Sequence, residues 1–185
     1  MRFKVPRTLA SQLAELGVAP RDVDVLGFSH LHIDHVGNAG LFRHARVLMQ
    51  ARERDAAYGP QAERLTYLPE TYAAIDRDAI EAVEGTHDVF GDGSVVLHPL
   101  PGHTPGHQGL RVALPVSGPV LLAGDIAYSR RDYLEAAPRP SNYDLDQTCA
   151  SIAVAQEMER GGTSVWLHHD LEAEREIRQA PEHYR

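Results

Sequence analysis

Four ligand-type side chains sit within six residues in the segment SHLHIDHVGN, as His30, His32, Asp34 and His35. This spacing constrains the fold more than any other feature of the chain. In an extended segment, residues two apart point the same way, so His30 and His32 can grip one ion together while Leu31 and Ile33 face the core. Asp34 and His35, where the chain turns toward a helix start, can then reach a second ion beside the first. Two ions cannot be held by four side chains alone, so the chain must bring further donors to the same point.

The histidine-rich composition supplies them: of 11 histidines, several stand just after apolar, strand-like runs. His103 follows SVVLHPL in a Gly- and Pro-rich loop, Asp125 follows GPVLLAG, and His169 follows TSVWLH. Loops at strand ends are where a rigid sheet can aim side chains from distant parts of the chain at one site. Imidazole and carboxylate donors without cysteine suit zinc, iron, manganese or cobalt and remove the usual structural-zinc reading. A carboxylate such as Asp125 has two oxygens and can serve two ions at once. Ions ~3.5–4 Å apart can share a hydroxide and polarise a scissile carbonyl, which makes water a nucleophile at neutral pH.

The surrounding pattern is that of one mixed α/β (α+β) domain over residues 1–185. Leu9, Leu13 and Leu16 share a face in a helix expected over 6–17, and Gly17 stops it. Strands are expected at 23–29, 45–50, 86–90, 94–100, 108–115, 118–124 and 163–168, with a hairpin turn at Gly91-Asp92-Gly93. Residues 52–84, charged and Ala-rich, read as helical pieces joined by loops, and 144–160 as a long helix ended by Gly161-Gly162. Cys149, the one cysteine, falls inside that helix as a small core residue. His107 reads as structural, and His44, His87, His98 and His183 as ordinary.

Net charge of −8 disfavours nucleic acid as a partner. No apolar run reaches the ~18 residues that span a bilayer, and the N-terminal segment lacks the apolar core of a secretory signal. A cytoplasmic location and no membrane partner are therefore expected, with room left for a homodimer.

SHLHIDH, PGHTPGH, AGD and LHHD, in that order, resemble the motifs of the metallo-β-lactamase superfamily of αββα metallohydrolases. Within it the chain is most similar to the N-acyl homoserine lactonases. Asp125-Ile126-Ala127-Tyr128 resembles the lactonase Asp-x-x-Tyr, and NYDLDQTCASI and HHDLEAE resemble the corresponding lactonase segments.

The resemblance implies two divalent ions, most often zinc, with His30, His32, Asp34, His35, His103, Asp125 and His169 as their ligands. It favours His169 over His168. It implies opening of a lactone or other ester by a metal-bridging hydroxide. Tyr128 would hydrogen-bond the substrate carbonyl or oxyanion, and Asp34 would also pass a proton to the leaving alkoxide. The family places several strands ahead of its first motif, whereas 29 residues precede His30 here, so much of the N-terminal half-sheet has no counterpart. Alternatives are a hydroxyacylglutathione thioesterase-like or β-lactam hydrolase of the same fold, or an inactive truncated domain. A redox diiron site is disfavoured because that branch carries a glutamate where His32 stands.

Overall fold

Two sheets meet at the site, and in the computed structural model, which describes residues 7–185, their strands follow in chain order. Helix α1 (Leu9–Glu15), capped by the Thr8 hydroxyl on Ser11 N–H, precedes β1 (Val25–Gly27) and the single-turn α2 (Ile33–Val36). Next come β2 (Arg46–Gln50), α3 (Ala51–Ala57) and β3 (Ile80–Val83), which with β1 form a three-stranded parallel sheet in the order β1-β2-β3. The second sheet has five strands: β4 (His87–Asp88), β5 (Val95–Pro99), β6 (Gln108–Leu114), β7 (Gly118–Leu122) and β8 (Ser164–Trp166). Helices α4 (Arg130–Leu134) and α5 (Leu145–Arg160) cross from β7 to β8, and α6 (Leu171–Glu174) follows. Residue 6, the first of the expected α1, lies outside the described residues.

Strand direction explains why the donors converge. Strands β4 to β7 pair antiparallel in sequence, and β8 pairs parallel to β7. Two reversals bring β7 back to the direction of β5, so β5, β7 and β8 all end at the same edge of the sheet. His103, Asp125 and His169 each follow one of those ends.

The layers are held by both apolar and polar contacts. Leu48 and Val83 of the parallel sheet pack against Leu97 of the other, and α3 packs on β2 and β3 from outside. On the opposite side, Thr148, Ser151, Ile152 and Ala155 form the buried stripe of α5, at the i, i+3, i+4, i+7 spacing of an amphipathic helix. Asp144 caps that helix by accepting from Gln147 N–H at 2.9 Å. A buried amide chain sews the sheets together: Gln50 Nε2 donates to Gln108 Oε1 at 3.1 Å, and Gln108 Nε2 donates to Phe28 O at 2.8 Å.

Two expectations change. Residues 52–84 are not wholly helical: after α3 come short 3₁₀ turns and then β3, in parallel register with β2. Four residues with Ile80 and Val83 buried carry too little periodicity to announce a strand, and the pairing partner lies about thirty residues upstream. Ile33 does not face the core. It is 53% exposed, because the extended run ends at His32 and α2 begins at Ile33, which breaks the two-residue alternation, whereas Leu31 is fully buried.

Candidate metal centre

His30, His32 and His103 bring one ligand atom each to within 4.8 Å of one another, and Asp34, His35, Asp125 and His169 form a second such group. Every residue singled out as a metal ligand thus falls in one of two adjoining clusters. Asp125 lies between them. Its Oδ2 is 3.1 Å from His169 Nε2 and 3.6 Å from His103 Nε2, and its Oδ1 is 3.4 Å from His35 Nε2. Asp34 Oδ2 lies 3.4 Å from His169 Nε2 and 3.6 Å from His35 Nε2, at the half-exposed mouth of the site.

The nitrogen that each histidine turns inward follows from what holds its other nitrogen. Ser29 Oγ is 3.1 Å from His30 Nδ1 and 3.3 Å from His35 Nδ1. A hydroxyl oxygen has two lone pairs, so both imidazoles can donate Nδ1–H to it and present Nε2 to the site. His32 is turned the other way. Its Nε2 lies 3.0 Å from Thr66 Oγ1 and 3.3 Å from Leu65 O, and its Nδ1 faces His103 Nε2 at 3.1 Å. The Thr66 hydroxyl already donates to Leu65 O, so His32 is the donor in its contact with Thr66. Thr66 holds this place at φ +64°, a strained conformation for a β-branched residue. His103 Nδ1 is 3.1 Å from Asn142 Oδ1, and Asn142 spends its amide N–H on Thr148 Oγ1 at 3.1 Å, so His103 donates to Asn142.

These tethers leave polar atoms bare. Among the described residues, four side-chain atoms are buried without a hydrogen-bond partner: the Tyr133 hydroxyl, away from the site, and His30 Nε2, His35 Nε2 and Asp125 Oδ1, which belong to the cluster. Buried polar atoms are rarely left so, and inward lone pairs on imidazole and carboxylate are what a divalent transition metal takes up. The donor set fits such an ion.

Electrostatics agree with that use. Burial, reinforced for His30 by the surrounding imidazoles, lowers the pKa of His30, His32 and His103. The rings stay neutral, the form that ligates metal. Burial disfavours the Asp125 carboxylate, but the facing His35, His103 and His169 outweigh it and hold its pKa well below the usual range. Tyr128 is half-buried with its ring 4.6 Å from that of His169. Burial and the charges of Asp125 and Asp34 push its phenol up to about 12, so it remains a hydrogen-bond donor. A recess of about 340 Å³, lined in part by Leu65, Thr66, Asn142 and Tyr143, opens beside His103.

His168 is exposed, its ring tilted 4.5 Å from that of His35; it could serve as a third donor with His35 and His169, but it lies outside the group that contains Asp34 and Asp125. His107, expected to be structural, is fully buried against the site. Ser29, Glu53, Thr66 and Asn142 were not foreseen. Ser29 adjoins the motif it serves and Asn142 opens the NYDLDQTCASI segment, but nothing local distinguishes Glu53 or Thr66.

The chain matches known proteins over nearly its whole length. Residues 4–169 match the family described as the metallo-beta-lactamase superfamily. An N-acyl homoserine lactonase, AttM, of Azorhizobium caulinodans is 34% identical over 182 residues, covering 94% of this chain and 68% of that protein. The N-acyl homoserine lactonase AiiA of Bacillus thuringiensis subsp. kurstaki is 30% identical over 172 residues, covering 92% of this chain and 65% of its own length. Among solved structures, an N-acyl homoserine lactone hydrolase with the product N-hexanoyl-L-homoserine at its catalytic metal centre aligns with a TM-score of 0.81. That alignment has 29% identity and covers 96% of this chain and 67% of the other.

Proposed function

The chain belongs to the metallo-β-lactamase superfamily, and from that membership we propose that it is a metal-dependent hydrolase opening the ring of an N-acyl homoserine lactone. The observation that carries this reading is the position of Asp125, one carboxylate within 3.6 Å of donors from both ligand groups. His30, His32 and His103 would hold one divalent ion, and Asp34, His35 and His169 a second, with Asp125 shared. Zinc suits the imidazole and carboxylate donors best. The reading of the chain as one such domain is supported, over the described residues 7–185, by the Gln50–Gln108–Phe28 link between the sheets.

When bound, the ions supply Lewis acidity and bring the pKa of water toward neutrality. The chain's own groups do the rest. Tyr128, kept protonated, donates its phenolic hydrogen to the lactone carbonyl oxygen as negative charge builds there. Asp34, at the open side of the site, takes a proton from the attacking water and returns it to the ring oxygen as that C–O bond breaks. One water is consumed, and an N-acyl homoserine carboxylate and one proton are released. The small-molecule products bound in related lactonase structures support a substrate of this size and class.

The test pairs elemental analysis of the purified chain with chromatographic detection of ring opening. About two equivalents of transition metal and conversion of N-hexanoyl-homoserine lactone to its open acid are expected. Two bound equivalents with no ring opening, while a thioester or β-lactam is cleaved, would replace the substrate. Less than one equivalent would overturn the two-ion site.

A further inference from the structure

Glu53, in the first turn of α3, is fully buried and carries a carboxylate that the proposed reaction does not use. Its four hydrogen bonds come from three separate parts of the chain. Oε1 accepts from Leu31 N–H at 2.9 Å and from Tyr67 O–H at 2.8 Å. Oε2 accepts from Thr104 O–H at 2.7 Å and from Gly106 N–H at 3.2 Å.

Leu31 is the residue between His30 and His32, and Thr104 directly follows His103. The same carboxylate therefore ties both loops that carry the three-histidine group, one loop to each oxygen. Gly106 confirms how closely they meet: a Cβ there would overlap the backbone nitrogen of Glu53, so glycine alone permits the approach.

A buried carboxylate held only by neutral donors is costly compared with an apolar side chain of the same size. The four donors fill the carboxylate's lone-pair sites, a pattern that a neutral amide cannot copy. We propose that Glu53 is a positioning residue that fixes the His30–His32 segment against His103 and so sets metal affinity at the three-histidine half of the centre. The inference rests on the metal-site reading above, but not on the identity of the substrate.

Glu53→Gln tests it. An amide has one acceptor oxygen and a donor NH₂, so one of the two loops must face a donor in place of an acceptor. Zinc is titrated into metal-free wild type and variant against a chromophoric chelator, with thermal melts run in parallel. The expected result is a cooperative melt for the variant and a loss of about 10- to 100-fold in affinity for one zinc equivalent, the other changing little. Wild-type affinity at both equivalents overturns the proposal. So does equal weakening of both, which marks a general packing role.

Should Glu53→Gln fail to fold, Thr104→Val removes the other end of one tie at nearly constant volume. An unchanged zinc profile there overturns the proposal, and a loss of several-fold at one equivalent supports it. Wild type binding no zinc would instead sink the metal-site reading itself, and lactone inertness with two zincs bound would sink only the substrate.

Discussion

His107 Nε2 accepts a hydrogen bond from the backbone N–H of Asp125 at 3.0 Å, and its Nδ1–H donates to Leu100 O at 2.9 Å. Both contacts require the neutral ring, and burial lowers its pKa to about 3. The histidine thus fixes the loop that presents Asp125 to both ligand groups. Gly124 keeps that loop close, because a Cβ there would lie 2.5 Å from His107 Nε2.

His107→Ala is expected to lose stability and activity together. It leaves Asp125 N–H and Leu100 O buried without partners and opens a cavity, at a cost of about 2–4 kcal/mol. Denaturant midpoints check the stability, and turnover should fall by about 10- to 100-fold as Asp125 loses its anchor. A variant as active as wild type would remove His107 from the support of the site.

Asp125→Ala should abolish turnover and release at least one of the two metal equivalents. Its carboxylate is the only acidic group within 3.6 Å of donors from both clusters among the described residues. His103→Ala should behave similarly. His98→Ala, on β5 and outside the clusters, serves as the control and should leave rate and metal content unchanged. Near-normal rates in the Asp125 variant would refute its shared role.

Tyr128→Phe separates binding of metal from stabilisation of charge. Removing one oxyanion donor lowers kcat by about 100-fold in comparable sites. Metal content should be unchanged, since the phenol stays protonated and acts as a hydrogen-bond donor. Loss of metal in this variant, measured by elemental analysis, would mean that the hydroxyl acts on a ligand and not on the substrate.

The metal-free chain should be destabilised by mild acid. Burial lowers the pKa of His30, His32, His103 and His107 from 6.5, so between the folded and unfolded values the unfolded chain binds more protons. The stabilisation is complete above the unfolded value of 6.5 and is lost as pH falls from there toward the folded values. Asp125, also lowered, adds to the same trend only below its ordinary 3.8. At about pH 5.5 each fully neutral buried ring costs about 1.4 kcal/mol, so Tm should fall by roughly 5–15 °C from its value at pH 7.5. Melts in the presence of a chelator check this, and a flat Tm over that range would contradict it.

The convergence of the candidate ligands was legible because metal chemistry restricts residue type and spacing, and because apolar runs before His30, His103, Asp125 and His169 mark strand ends. The long helix over 144–160 was equally plain, since capping by Asp144 and a stripe of buried residues are local properties. Strand β3 was hidden because its burial comes from pairing with β2 and not from its own four residues. The outward turn of Ile33 was hidden because the strand alternation ends one residue earlier, where α2 begins.

By itself, then, the sequence determined which atoms are available to hold metal and that they stand at the ends of strands. Tertiary structure decided which nitrogen each histidine offers, by giving Ser29, Leu65, Thr66 and Asn142 the other one. It also decided that Glu53 and His107 support the loops and do not sit as a solvated charge and a spare histidine. The reason is that a ligand's identity is a property of one residue, whereas its orientation depends on hydrogen bonds between residues up to 39 positions apart that meet only in the folded chain.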